Sequence, residues 1–178
     1  MTKIIATLCL GAISIVAVEV SDIQVNFTAF KTYGKISVGG SFDTTTIVYQ
    51  ERNATQSMKM LENLEVNIST ASVNSANKER DMKIVKNFFE TQGVKSIEAH
   101  IVKVTPESLT AKIEMNQKAV EIPMSYTDSN GTIEAKGVID LGDYLMLPSL
   151  KTLNTACYDL HQGKTWQDVN IGFTIHYK

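Results

Sequence analysis

The feature that most limits how this chain can fold is an alternation of apolar and polar residues with a period of two, repeated along almost its whole length. Ile23, Val25, Phe27 and Ala29 alternate with Gln24, Asn26 and Thr28. Ile36 and Val38 flank Ser37, and that run reaches Phe42 through Gly39-Gly40. TTTIVYQ (44–50) and LEVNIST (64–70) are rich in β-branched residues, which fit a pleated, half-buried surface. Further runs are SIEAHIVKV (96–104), SLTAKIEMN (108–116), AVEIPMSY (119–126), TIEAKGVIDL (132–141) and DVNIGFTIHY (168–177). Alternate side chains of a strand point to opposite faces, so this pattern marks antiparallel strands with one wet and one dry side. Asn130-Gly131 is a strong hairpin signal because both residues accept positive φ. Thr105-Pro106-Glu107 and Asn116-Gln117-Lys118 read as short turns. Roughly nine strands joined this way form a meander too long to leave open, and closure into a barrel removes the exposed edges. The fold class is therefore all-β.

Two segments break the alternation. In NSANKERDMKIVKNFF (74–89), Asn77 is a plausible N-cap, and Glu79 and Asp81 suit the first turn. Met82, Val85 and Phe89 follow helical spacing, with Phe88 beside them and Gly93 as a stop. In LMLPSLKTLNTACYDLHQG (145–163), Leu150, Leu153, Cys157 and Leu160 fall near one face from Pro148 onward, and Gly163 can end the helix. The spacing alone leaves open whether the first helix covers a barrel mouth or lies on its flank.

The first residues differ from the rest. Lys3 precedes an apolar run from Ile4 to Val18, broken by Thr7, Gly11 and Ser14. A run of that length suits a secretory signal peptide over residues 1–17 better than a membrane span. Ala17 is the best cleavage position, leaving a barrel domain over 18–178. The competing expectation is an uncleaved segment that tethers the protein or forms a buried first element. A signal peptide places the protein in the periplasm or outside the cell. Cys9 lies inside this leader, so Cys157 is left without an internal disulfide partner and is expected as a buried thiol.

With 178 residues the chain is long enough for one domain with its own core. Its net charge of −2, with both signs well mixed, gives no concentrated basic face for nucleic acid. No HxH, HExxH or CxxC spacing exists, so no metal is expected, and no catalytic set is expected either. His100 and His176 lie on polar strand faces. His161 falls one helical turn from Cys157, and that pair is the only hint of an enzyme acting on a lipid.

Several of these stretches resemble the YceI family of bacterial lipocalin-like, polyisoprenoid-binding proteins. The matching pieces are VNFTAFKTYGKISVGGSFD (25–43), ASVNSANKERDMKIVKNFF (71–89), GVIDLGDYLML (137–147) and the closing DVNIGFTIHYK. Asn74 and Ala76 stand where that family often has Asp and Gly, and Phe30-Lys31-Thr32 replaces its usual His-Leu-Gly. The resemblance implies an eight-stranded antiparallel lipocalin-like barrel, with one or two short helices, holding a long lipid. It also implies a homodimer. The function expected is a carrier for a long-chain isoprenoid or other fatty amphiphile, with no cofactor. A non-catalytic stress-related or interaction protein with a packed barrel is the alternative. Partners would be a hydrophobic small molecule or lipid and, transiently, a membrane.

Such a ligand needs no fixed polar motif. Each buried methylene is worth about 0.8 kcal/mol, so a chain of about forty carbons gives tens of kcal/mol gross. Micromolar binding needs only about 8 kcal/mol after ordering costs are met. The lining is therefore expected from the apolar members of the alternating runs: Phe27, Ile36, Val38, Phe42 and Val66, then Ile113, Met115, Tyr126 and Phe173. Phe88 and Phe89 face the interior from the helix, and Leu145, Met146, Leu147 and Leu150 form a lid. Taken one at a time, each of these residues reads as ordinary core before it reads as a ligand contact, since small barrels can be filled by side chains alone.

Overall fold

The computed structural model describes residues 17–178. The expected leader, with Cys9, lies outside the described residues except for Ala17. Among the described residues there are ten strands, nine from the alternating runs and the two-residue β5 from outside them: β1 (Val20–Lys31), β2 (Ile36–Phe42), β3 (Thr45–Tyr49), β4 (Glu65–Ser69), β5 (Val73–Asn74), β6 (Ser96–Val104), β7 (Ser108–Met115), β8 (Lys118–Ser129), β9 (Thr132–Asp140) and β10 (Asp168–Tyr177). Among the described residues four α-helices join them: α1 (Ser57–Leu61), α2 (Lys78–Ile84), α3 (Leu147–Ala156) and α4 (Tyr158–His161).

All ten strands belong to one antiparallel sheet, in the order β3-β4-β6-β7-β8-β9-β10-β1-β2-β5. The sheet curls into a barrel because its two ends are joined by the chain itself. β2 and β3 are consecutive, separated only by Asp43 and Thr44; β4 and β5 are separated only by a 3₁₀ turn at Thr70–Ser72. β2 pairs with β5 (Phe42 opposite Val73), and β3 pairs with β4 (Ile47 opposite Val66). The corner is held by Asp43 N–H donating to the Ser72 carbonyl at 2.9 Å and Ser69 N–H to the Thr44 carbonyl at 3.0 Å. Ten strands are therefore found where eight were expected, because two staves of the barrel are each broken into two by this corner. Unbroken β-branched text across 44–50 gives no hint of the break.

The tight turns appear as the sequence indicates. Asn130 and Gly131 both have positive φ, at 53° and 75°, as do Asn116 and Gln117, at 50° and 61°. α1 closes one end of the barrel with Met60 and Leu61 fully buried. Ser57 and Tyr177 both bond to the Asp128 carboxylate, tying that end to β8 and β10.

The opposite end is covered by α2 and α3. Asn77 caps α2 as expected, its Oδ1 accepting from Arg80 N–H at 2.9 Å. α2 then widens into a π-helical turn, Val85–Phe89, before a 3₁₀ turn ends at Gly93 with φ 69°. The wider turn adds a residue to the helical path. It buries Phe88 and Phe89 together and rotates Met82 outward, leaving it 65% exposed rather than on the apolar face. The second helical segment is likewise broken, at Cys157 with φ −123°, so Leu160 is exposed while Leu150 and Leu153 pack inward.

Candidate functional site

The barrel is hollow. Inward residues of β1, β6 and β10, including Ile23, Val25, Ile97, Ala99, Ile171 and Phe173, pack against the core yet stay only half-buried. In a solid core such side chains lose nearly all their accessible surface. Here they border empty space, divided into two abutting chambers.

The inner chamber holds about 90 Å³ and is walled by Val66, Ile113, Phe173, Val25, Ile101 and Ile175, among others. The outer chamber holds about 130 Å³, beneath the helical cover, and is walled by Phe27, Phe42, Phe88, Phe89, Leu150 and Trp166, among others. Ile97, Met115, Ile139 and Ile171 border both. The inner wall carries no polar side chain, and the outer has only the Thr165 hydroxyl and the Trp166 indole. The indole N–H is satisfied by the Thr32 carbonyl at 2.8 Å. Such a site recognises hydrocarbon by shape and burial.

The outer wall is an aromatic chain. Ring centroids lie 5.6 Å apart for Phe27 and Phe42, 6.3 Å for Phe42 and Phe89, and 5.0 Å for Phe88 and Phe89, all tilted or edge-on. Gly40 makes this possible. It pairs with Phe27 across β1 and β2, and a Cβ there would meet the Phe27 ring at 2.6 Å.

Beyond the outer chamber lies a cleft of about 280 Å³ between β1, β2, α2 and the α3–α4 junction. Phe27, Ala29, Ile84, Leu153 and Thr165 border both spaces. Lys31, Arg80, Lys83, His161 and Glu79 line its polar part, with buried Cys157 beside them. His161 Nδ1 lies 2.7 Å from Thr165 Oγ1, which in turn donates to Asn154 Oδ1 at 2.8 Å. Burial, then the nearby Lys31 charge, holds the His161 pKa below its ordinary value.

Of the lining residues expected from the sequence, ten reach these spaces. Phe27, Phe42, Phe88, Phe89 and Leu150 border the outer chamber, Val66, Ile113 and Phe173 the inner, Met115 both, and Val38 the outer cleft. Five do not. Ile36 shares its face with Val38 but sits at the strand tip opposite Lys31, beyond the last opposing wall, and is 56% exposed. Leu145 has φ 56° in a turn whose carbonyl accepts from Gln92, so its side chain faces outward. Leu147 begins α3 on its exposed side. Met146 is fully buried in solid core, not in a lid. Tyr126 lies near the α1 end, its hydroxyl donating to the Thr105 carbonyl at 2.8 Å. Alanines such as Ala29, Ala99 and Ala111 also line the spaces and were missed. Their position in the alternation marks them as inward, and their small size is what leaves the room.

Comparison with known proteins fits this geometry. The description of a YceI-like domain matches residues 17–177. Comparison with curated protein sequences finds no match. Among solved structures, a polyisoprenoid binding domain from Saccharophagus degradans superposes with a TM-score of 0.64 at 14% identity, covering 91% of this chain and 97% of its own. BcnA from Burkholderia cenocepacia gives 0.60 at 14% identity, over 88% and 96% of the two chains. A Campylobacter jejuni YCEI protein gives 0.52 at 18% identity, over 76% and 81%. At these identities the likeness is one of fold.

Proposed function

Since this chain belongs to the YceI-like family, we propose that it is a non-catalytic carrier, holding the tail of an isoprenoid or other fatty amphiphile inside its barrel. The observation that carries this reading is the pair of carbon-walled chambers beneath an aromatic lid. The description of the Saccharophagus degradans relative as a polyisoprenoid binding domain supports the ligand class. An interior filled end to end would instead favour a packed interaction protein, and the half-buried walls argue against that.

The chambers as they stand take only part of a long isoprenoid. An apolar cavity of about 150 Å³ accepts one benzene ring. A longer chain therefore enters by displacing wall side chains, and Met115 and Met124 have the flexibility to yield. The bound lipid is the only non-protein group that this role requires. The apolar leader supports a periplasmic or secreted site of action, and exposed Tyr158 and Leu160 beside the cleft support a transient membrane contact during loading.

Ala99→Phe tests the reading, because Ala99 borders the inner chamber between Val66 and Ile113. A fluorescent polyene fatty acid should bind the native chain with one molecule per barrel. The variant should fold but bind at least about tenfold more weakly, a loss of about 1.4 kcal/mol. Equal binding by a folded variant would place the ligand elsewhere.

A further inference from the structure

The outer cleft differs from the chambers in one respect: it gathers cations. Lys31 from β1 and Arg80 and Lys83 from α2 line it, and the His161 ring from α4, uncharged at neutral pH, stands beside them. The only carboxylate among them is Glu79. It pairs with Lys83 at 2.8 Å but is itself 75% exposed, so the pair is screened and weak. Lys31 and Arg80 make no ion pair among the described residues. Ser75 accepts from Arg80 Nε at 2.7 Å and, through its carbonyl, from Nη2 at 2.5 Å, and its hydroxyl donates in turn to Asp81, so the guanidinium is fixed and partly offset by that carboxylate, while Lys31 is left as the cation with no carboxylate against it among the described residues.

His161 contributes an acceptor rather than a charge. Asn154 donates its Nδ2 to the Gly163 carbonyl, so its Oδ1 is the acceptor for the single Thr165 hydroxyl proton. The proton between His161 and Thr165 must then sit on Nδ1, leaving Nε2 of the neutral ring as an acceptor, which can meet a protonated head oxygen but adds no positive charge. Positive charge in a concave site over an apolar floor attracts anions strongly. That floor is shared with the outer chamber through Phe27, Ile84 and Leu153.

Resting on the carrier reading, we propose that the amphiphile carries an anionic head, a phosphate or carboxylate, which sits in the cleft beside Lys31, Arg80 and Lys83 while its tail enters the barrel. Head and tail are read by different parts of one continuous site. The neutral wall sets no preference for the head, and the cleft does.

Hexadecyl phosphate, heptadecanoate and hexadecanol share a sixteen-carbon tail and differ at the head. In competition against the fluorescent polyene, one or both anions should outbind the alcohol by about tenfold or more, and added salt should narrow the gap. A phosphate that outbinds heptadecanoate marks a phosphorylated lipid as the cargo, and the reverse marks a fatty acid. In the double variant Lys31→Gln, Lys83→Gln the ratio of anion to alcohol affinity should fall toward one. Arg80 is left in place because it holds Ser75. Hexadecanol binding as tightly as both anions, or a preference that survives the double variant in a folded protein, overturns the inference while leaving the carrier reading intact. No binding by any of the three overturns both.

Discussion

Tyr144 has no accessible surface, yet its hydroxyl finds no hydrogen-bond partner among the described residues. Burial, then the charge of Asp143, pushes its pKa above the ordinary phenol value of 10.0. The folded state thus keeps a proton that the unfolded chain gives up. Its contribution to stability is intact below about pH 10 and is lost as the pH climbs past that value toward the raised one. Tyr144→Phe removes the orphaned hydroxyl and keeps the ring. Urea denaturation at neutral pH should show equal stability or a gain of about 1 kcal/mol, and the alkaline loss should be blunted. Tyr126 and Tyr177, also shifted upward, keep the remainder of that loss in the variant. A cost above about 2 kcal/mol at neutral pH would mean that the hydroxyl has a partner after all.

α2 owes its position to a compact entry. Asp81 Oδ1 accepts from Ser75 N–H at 2.8 Å and also from the Ser75 hydroxyl, while Asn74 Oδ1 accepts from Ala76 N–H at 3.0 Å. This turn forces Ala76 to φ 58°, a region that costs an L-residue about 1–2 kcal/mol. Ala76→Gly should therefore raise the denaturation free energy by up to about 1 kcal/mol, the relief being partly offset by glycine's greater freedom when unfolded. A loss of stability would show that Ala76 packs in a way that outweighs its backbone strain. Much at this scale was readable beforehand. Asn77 is the cap its residue type suggested, and Gly93 is the stop. The π turn was not, because five residues of ordinary helical text carry no mark of it; hence Met82 was expected inside and lies outside. The break of the second helix at Cys157 was hidden for the same reason, as Thr-Ala-Cys-Tyr contains neither glycine nor proline.

At the scale of the whole molecule, alternation specified which side chains face inward but not whether they meet. Phe173 and Tyr126 occupy the same phase in their strands, yet one borders a chamber and the other seals the α1 end. The difference lies in what stands opposite, and that depends on how the barrel curves. Glycines and alanines decide it as much as large residues do. A Cβ on Gly172 would meet the Ala135 carbonyl and Asn26 Oδ1, each at 2.8 Å, so β10 can cross close to both neighbours only because that position is bare. Closure was expected from the number of strands, while the corner that achieves it, at Asp43–Thr44 against Thr70–Ser72, depends on backbone bonds invisible in residue types. A carrier must use the space inside its barrel. Native mass spectrometry of the protein, purified without detergent or organic solvent, tests this most directly. A mass excess of one lipid-sized molecule per chain, released on unfolding, is the result expected. A barrel that flies at its bare polypeptide mass, and that takes up none of the hexadecyl compounds when they are supplied, would contradict it.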